Sequence, residues 1–428
     1  MTAVAHAPAP AASGRNPKFL ALQYRDCRFY LGGAMLSMMA DNVEHVISYW
    51  VLFQVFHSPA LAGFAVISHW VPFLLFSVYF GSLADRFDCR KVVQASQLLF
   101  MGVSATWGFL FLTHQLEVWH AMALLSVHGI AAALWGPAEQ LILYDIVGPE
   151  ALPSAVRLNV TARSLGMLCG PAVGAALLVT LGEEYAIFAN VLIYLPLTIW
   201  LARVPYTGHL REEPGTKRVR LTPAGAIRVL RDVADNPIIV SMVALAGLGA
   251  IFLGAALGPL MPEFAHNVGV DQAGLHYGLL MAATAAGAVI GGIVLESTGF
   301  VKPTARTAIW ATVIWGVLMI GFALTQNFAL AVGLLVVAGA AGLAHMSISQ
   351  TLVQLLAKPE ERGRVLGVYN MAAAGLKAGS GITVGLLGAF VGVQWSLAGA
   401  SLALTLLSLG LLLYLRRADP VSLPQSHR

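Results

Sequence analysis

Asp41, Asn42, Glu44 and His45 stand close together near the centre of an otherwise apolar segment, 29–56. Positions 41, 44, 45 and 48 share one helical face, so two carboxylates, an imidazole and the Ser48 hydroxyl project together. An ionised group at mid-bilayer costs ~2.5–3.5 kcal/mol on insertion scales, so it has a role or a partner. Two neighbouring acids in a poorly solvated site do not both stay ionised easily, and taking up and releasing a proton there is the chemistry of proton coupling. A static hydrogen-bonded network that orients the helix is the alternative.

A base and a further acid complete the set. Lys377 lies about twelve residues into the segment 365–391, mid-membrane by helix rise. A charge pair between Lys377 and Asp41 or Glu44 would hold one access state until a proton or an anionic substrate broke it. Simple charge compensation, or a misplaced segment boundary, would also account for the lysine. Glu139 follows Trp135-Gly136-Pro137, where a kink is expected, and either binds a cation or reaches the cytoplasmic interface. Cys27, Cys89 and Cys169 lie far apart with no metal-ligand or redox spacing. No metal site, cofactor or disulfide framework is expected.

The elements that carry these groups follow from composition. Of 428 residues, 58% are hydrophobic and 11% charged, with mean hydropathy +0.75. A soluble domain has about 25% charged residues, so a soluble enzyme, a nucleic-acid binder and a disordered chain are poor fits. Apolar segments are predicted at 29–56, 61–81, 92–113, 119–146, 156–181 and 185–202. A second set follows at 237–263, 273–297, 304–325, 328–356, 365–391 and 394–415. Twelve spans need roughly 240 residues, which the apolar content supplies. The expected fold is an all-α polytopic membrane protein of twelve transmembrane helices.

Charge placement orients it. With both termini inside, every one of the 25 Lys and Arg except Lys377 falls in a cytoplasmic segment, while Glu117, Glu183, Glu184 and Asp271 fall outside. That bias predicts N and C termini in the cytoplasm. The expected organisation is a cytoplasmic tail 1–28, a six-helix half 29–202, a cytoplasmic linker 203–236, a second six-helix half 237–415 and a cytoplasmic tail 416–428. The first seventeen residues, rich in Ala and Pro, read as a tail and not a signal peptide. Within the linker, Ile227, Leu230 and Ala234 share a face, with Arg228, Arg231 and Asp232 elsewhere, which fits a short interfacial helix. Gly81 and Gly291, like Pro149-Glu150 and Pro359-Glu360, recur at one spacing, pointing to two pseudo-symmetric halves.

The loop after the second span, Gly81-Ser82-Leu83-Ala84-Asp85-Arg86-Phe87-Asp88-Cys89-Arg90-Lys91, resembles the G-x-L-A-D-R-x-G-R-[KR] signature of the major facilitator superfamily. Gly166-Met-Leu-Cys-Gly170-Pro171-Ala-Val-Gly174-Ala175 resembles the G-x-x-x-G-P-x-x-G-G pattern of its exporters, with Ala replacing the last Gly. Ser58-Pro59-Ala60-Leu61 and Glu361-Arg362-Gly363-Arg364-Val365 resemble a bacterial subgroup of enterobactin-exporter-like and drug-efflux proteins. From the residues, Asp85 can neutralise Arg86 or Arg90 and fasten helix ends in one state; the resemblance implies Asp145 as a further partner. Gly166, Gly170 and Gly174 line one face and permit close helix approach, as ordinary packing or, by resemblance, as an exporter's leak-proof seam. The resemblance also implies that the spans bearing His69, His128 and His345 face a cavity, where each histidine is a ligand or a neutral packed ring. Lys377 departs from the uncharged residue usual in the subgroup.

These readings predict a secondary transporter, a proton-coupled exporter of small amphipathic molecules such as drugs or siderophore-like compounds. Its partners would be that substrate, protons and the lipid bilayer of a bacterial inner membrane, with no nucleic acid; a monomer is expected. No G-x-x-x-x-G-K-[ST] loop marks a primary pump, and no H-E-x-x-H or G-x-S-x-G marks an enzyme. A lipid or lysolipid flippase on the same scaffold is the alternative, with an intramembrane enzyme or a transporter-derived sensor further behind.

Overall fold

The structure is a computed structural model and describes residues 19–56, 59–211, 233, 235–255, 257–269, 275–298, 301–380, 383–384 and 387–418. The described residues are helical, with no strand among them. The segment expected as an interfacial helix in the linker lies almost wholly outside them, as do most of the two tails.

Helices α1 (Arg25–Phe56), α2 (Pro59–Arg86) and α3 (Cys89–Thr113) open the chain. Asp88 caps α3, its carboxylate accepting from the Arg90 backbone N–H at 3.0 Å. A continuous helical run, Val118–Arg203, follows, reversed at Gly148 (φ 73°) and Gly182 (φ 77°) into α4 (118–147), α5 (149–181) and α6 (183–203). Gly148 supplies a positive φ, which residues with a Cβ rarely adopt. Pro149 then opens α5, a first-turn position where its missing N–H costs nothing. The stretch 149–155, expected as a polar loop, is therefore the first turns of α5.

The second half begins with α7 (Pro237–Leu253), capped by Asn236 with Pro237 at its first position. The seventh segment breaks at Gly254 and resumes as α8 (Leu257–Asn267). Then come α9 (Leu275–Thr298), α10 (Ala305–Leu324) and α11 (Phe328–Leu356). The segment expected as one span over 365–391 is interrupted. It comprises α12 (Arg362–Ala373), a 3-10 turn over Gly375–Gly379 and the short α13 (Leu387–Val391). α14 (Val393–Ala418) ends the fold. Glycine-rich sequence weakens the eleventh segment's helix, and its neighbour satisfies the break: the Ser380 hydroxyl accepts from the Ala255 N–H at 2.9 Å, in the gap of the seventh segment.

One buried apolar core, with Ile146, Leu152, Ile309, Val353 and Leu366, joins both halves at the end bearing the basic loops. At the opposite end each half has its own core, one around Trp107 and Ile187, the other around Phe322 and Leu404. The halves are fused at the basic end and separate towards the other. Leu75, Tyr79, Leu98, Ile290, Val317 and Leu413 are exposed on the outer faces, as helices surrounded by hydrocarbon require. Among the described residues, six helices are long and apolar enough to cross a membrane, and one of them is the run divided at Gly148 and Gly182.

Candidate functional site

The chemistry predicted on α1 gains its centre from another helix. His128, on α4, is buried between the two carboxylates: Nε2 lies 2.8 Å from Asp41 Oδ1, and Nδ1 lies 2.8 Å from Glu44 Oε1. The Ser104 hydroxyl on α3 donates to the other Glu44 oxygen, and Asn190 on α6 donates to Ser104 at 3.3 Å. Four helices thus fix one imidazole. Each N···O contact needs a proton in it, so the triad holds two protons among three titratable groups, and losing one opens a contact. His45 Nδ1 stands 3.8 Å from Asp41 Oδ2, and its ring lies 4.9 Å from that of His128 and 5.1 Å from that of His69.

The other predicted residues divide between this cluster and other places. His69 belongs to the cluster. Asn42 turns away from it, donating to the Met38 carbonyl at 2.8 Å. Lys377 does not meet Asp41 or Glu44; its Nζ lies 4.2 Å from the centre of the Trp70 ring, a cation–π contact. The expected charge pair is replaced because Asp41 and Glu44 already share His128, which helix spacing alone could not reveal. Trp70 in turn packs edge-on against His69, their centroids 4.6 Å apart.

Glu139 is buried, and the cation it meets is a side chain of this protein. It accepts from Arg163 at 2.5 Å and from Asn159 at 2.8 Å, and Arg163 also lies 4.9 Å from the Trp135 ring centre. Charge placement alone puts Arg163 with the cytoplasmic set; it lies fifteen positions beyond the Gly148 reversal, roughly 22 Å along α5, where it reaches the buried Glu139. His345 belongs to the second half, its Nδ1 2.8 Å from the Thr312 hydroxyl and its ring stacked on Trp315. A cavity of about 440 Å³ opens between the halves, lined by Ser164, Met167, Trp315, His345, Tyr369 and Lys377, among others.

At the basic end, Asp85 does not pair with Arg86 or Arg90. Its carboxylate accepts from the backbone N–H groups of Gly363 (2.5 Å) and Arg364 (3.0 Å) at the start of α12, with Arg364 Nε at 3.9 Å. Gly81 permits this approach, since a Cβ there would run into the Gly363 carbonyl. Arg90 instead grips Asp88 at 2.7 Å. Burial resists ionisation of Asp88, but its bonds from Arg90 outweigh that and hold the carboxyl below its usual range. Lys91 is exposed. Asp145 accepts from Gly208 N (2.7 Å) and Leu210 N (3.0 Å) at the start of the linker, so its partner is the linker backbone and not the Asp85 loop.

The second half carries a matching latch that sequence reading missed. Glu296 on α9 takes an ion pair from Arg157 on α5 at 2.7 Å and a hydrogen bond from Ser154. The spacing that relates Gly81 to Gly291 carries Asp85 to within one residue of Glu296, so the repeat was the available signal. Gly166, Gly170 and Gly174 on α5, beside Pro171, face α1. A Cβ on Gly170 would lie 2.5 Å from Asn42 Cβ, and one on Gly174 would lie 3.2 Å from Val46 Cβ.

The chain's likenesses to known proteins agree with this architecture. The family of transmembrane secretion effectors, a branch of the major facilitator superfamily, matches residues 29–427. Macrolide efflux protein A of Streptococcus pyogenes is 23% identical over 353 residues, covering 80% of this chain and 84% of that protein. The staphyloferrin A transporter of Staphylococcus aureus is 21% identical over 188 residues, covering 42% of this chain and 47% of its own length. Among solved structures, the human organic anion transporter MFSD10 superposes with TM-score 0.70 at 14% identity, over 91% of this chain and 99% of that one. The fused basic end, the split opposite end and the match along nearly the whole chain place it together: this is a multi-pass membrane transporter of the major facilitator superfamily, and it belongs to the transmembrane secretion effector family.

Proposed function

We propose that the chain is a proton-coupled exporter of small amphipathic molecules that works by alternating access in the inner membrane of a bacterium. Twelve crossings, with 29–202 and 237–415 as the two halves and both termini cytoplasmic, make the basic end the cytoplasmic one. The observation that carries the coupling is His128 clamped between Asp41 and Glu44 by two 2.8 Å contacts. Protonation changes which of those contacts survive, and therefore how α1 is tied to α4. The conformation described is closed at the basic end by Asp85 of α2, bound to the start of α12, and by Glu296 of α9, bound to Arg157 of α5.

The substrate site is the cavity between the halves. Its walls are aromatic and aliphatic, with Lys377 as a cation and His345 and Tyr369 as polar points, which suits an amphipathic compound with an acidic or carbonyl group. The interrupted seventh and eleventh segments meet beside Lys377, where unwound backbone lines the cavity. A relative named for macrolide efflux supports the outward direction, and it and the staphyloferrin A transporter suggest the first compounds to try.

Inside-out vesicles carrying the full chain, energised to an acid interior, provide the test. Adding a transported macrolide or carboxylate siderophore releases protons from the wild type. Asp41→Asn and His128→Asn retain insertion and lose that release. Equal release from wild type and both variants would overturn the coupling site.

A further inference from the structure

Three histidines from three helices converge beside the coupling triad: His45 on α1, His69 on α2 and His128 on α4. One ligating atom from each can be chosen so that all three lie within 4.8 Å of one another. Three imidazoles around one point, with a carboxylate to hand, form a donor set for a divalent transition-metal ion of borderline softness. His69 Nδ1 is buried and has no hydrogen-bond partner. An orphaned ring nitrogen is expensive to bury, and a metal bond satisfies it.

We propose that His45, His69 and His128 Nε2, with Asp41 as fourth ligand, bind a divalent transition-metal ion such as Zn²⁺. The surrounding contacts are those such a site uses. Asp41 Oδ1 sits 2.8 Å from His128 Nε2, and Asp41 Oδ2 sits 3.8 Å from His45 Nδ1, so one carboxylate already faces two of the rings. The ion replaces the proton shared between His128 Nε2 and Asp41. The other ring nitrogen of His128 donates to Glu44, itself held by Ser104. A carboxylate behind a ligating histidine orients the ring and fixes its tautomer. Tetrahedral ligand atoms about 2.0–2.1 Å from zinc lie about 3.3 Å apart, so the rings close by roughly 1.5 Å, a movement within reach of side-chain rotation. His45 is 20% exposed, which leaves the ion a way in. The inference does not rest on the exporter reading: a cluster that ignores metal leaves that reading untouched.

Untagged full-length protein in detergent, titrated with Co²⁺, reads the site directly. The expected result is the intense visible absorption of tetrahedral nitrogen-ligated Co²⁺, saturating at one ion per chain and displaced by Zn²⁺. His45→Ala and His69→Phe, the latter keeping a ring against Trp70, weaken Co²⁺ binding at least tenfold. Glu44→Gln, which removes only the carboxylate behind His128, weakens it by about 10–100-fold. His114→Ala, at a helix end remote from the cluster, binds as the wild type does. A weak octahedral spectrum, or binding that survives both His45→Ala and His69→Phe, would overturn the site.

Discussion

His128 shows how the chemistry of single residues depends on what faces them. Asp41 and Glu44 are one helical turn apart on α1, and an imidazole between them joins both through hydrogen bonds that charge makes strong. Lys377 has a different partner, the face of Trp70, whose quadrupole stabilises a cation without neutralising it. Its charge therefore remains available to the cavity. Lys377→Met should leave export of neutral compounds near wild type and lower export of carboxylate-bearing ones at least tenfold. Paired efflux assays with a neutral macrolide and a carboxylate siderophore check this, and equal losses for both would place the lysine in packing alone.

At the level of helices, the loop between α2 and α3 is tied down from several directions. Asp88 caps α3 and holds Arg90, and Cys89 N donates to the Thr207 carbonyl at 2.8 Å. Losing an N-cap of this kind costs about 0.5–2 kcal/mol. Because the folded-state carboxyl titrates below its ordinary value, its stabilisation is fully present above about pH 3.9. It is lost as pH falls through the lower folded value. Asp88→Ala should therefore unfold earlier than wild type at neutral pH, with the gap narrowing as acid protonates Asp88. Thermal unfolding in detergent across that range measures it. The motif residues of this loop were readable in the chain, but their partners were not. Arg90 binds its near neighbour Asp88, while Asp85 reaches across the molecule to α12.

For the whole molecule, the two halves close one end with related contacts that are not identical. α2 offers Asp85 to backbone N–H groups at the start of α12, and α9 offers Glu296 to Arg157 and Ser154 on α5. Each acid is buried, so removing its charge leaves donors unsatisfied and costs about 1–3 kcal/mol. The closed state bears that loss, because these contacts bridge halves that must part. In a background with Cys27, Cys89 and Cys169 replaced by Ala, Ser77→Cys reports on the seam, since Ser77 is buried where α2 meets Gly367. Combining Asp85→Asn with Glu296→Gln should raise its labelling by a water-soluble thiol reagent from the basic side several-fold. Unchanged labelling would show that the apolar core alone keeps that end shut.

Membrane residence, the helical class and the places of the apolar segments follow from local physics that any stretch of chain displays. A run of apolar residues cannot remain in water, and charges cannot remain in hydrocarbon. The acids of α1 and the glycine stripe of α5 were readable for the same reason, since each is a pattern within one helix. Partners are different, because they come from helices far apart in the chain. Only the packed bundle brings His128 between Asp41 and Glu44, gives Arg163 to Glu139, sets Lys377 on Trp70 and converges three histidines on one point. The break in the eleventh segment was hidden as well, because no proline marks it and the seventh segment satisfies it; in the seventh segment Pro259, in the first turn of α8, was a signal left unread. Spacing along a helix reports which side chains share a face; what that face meets is a property of the assembled fold.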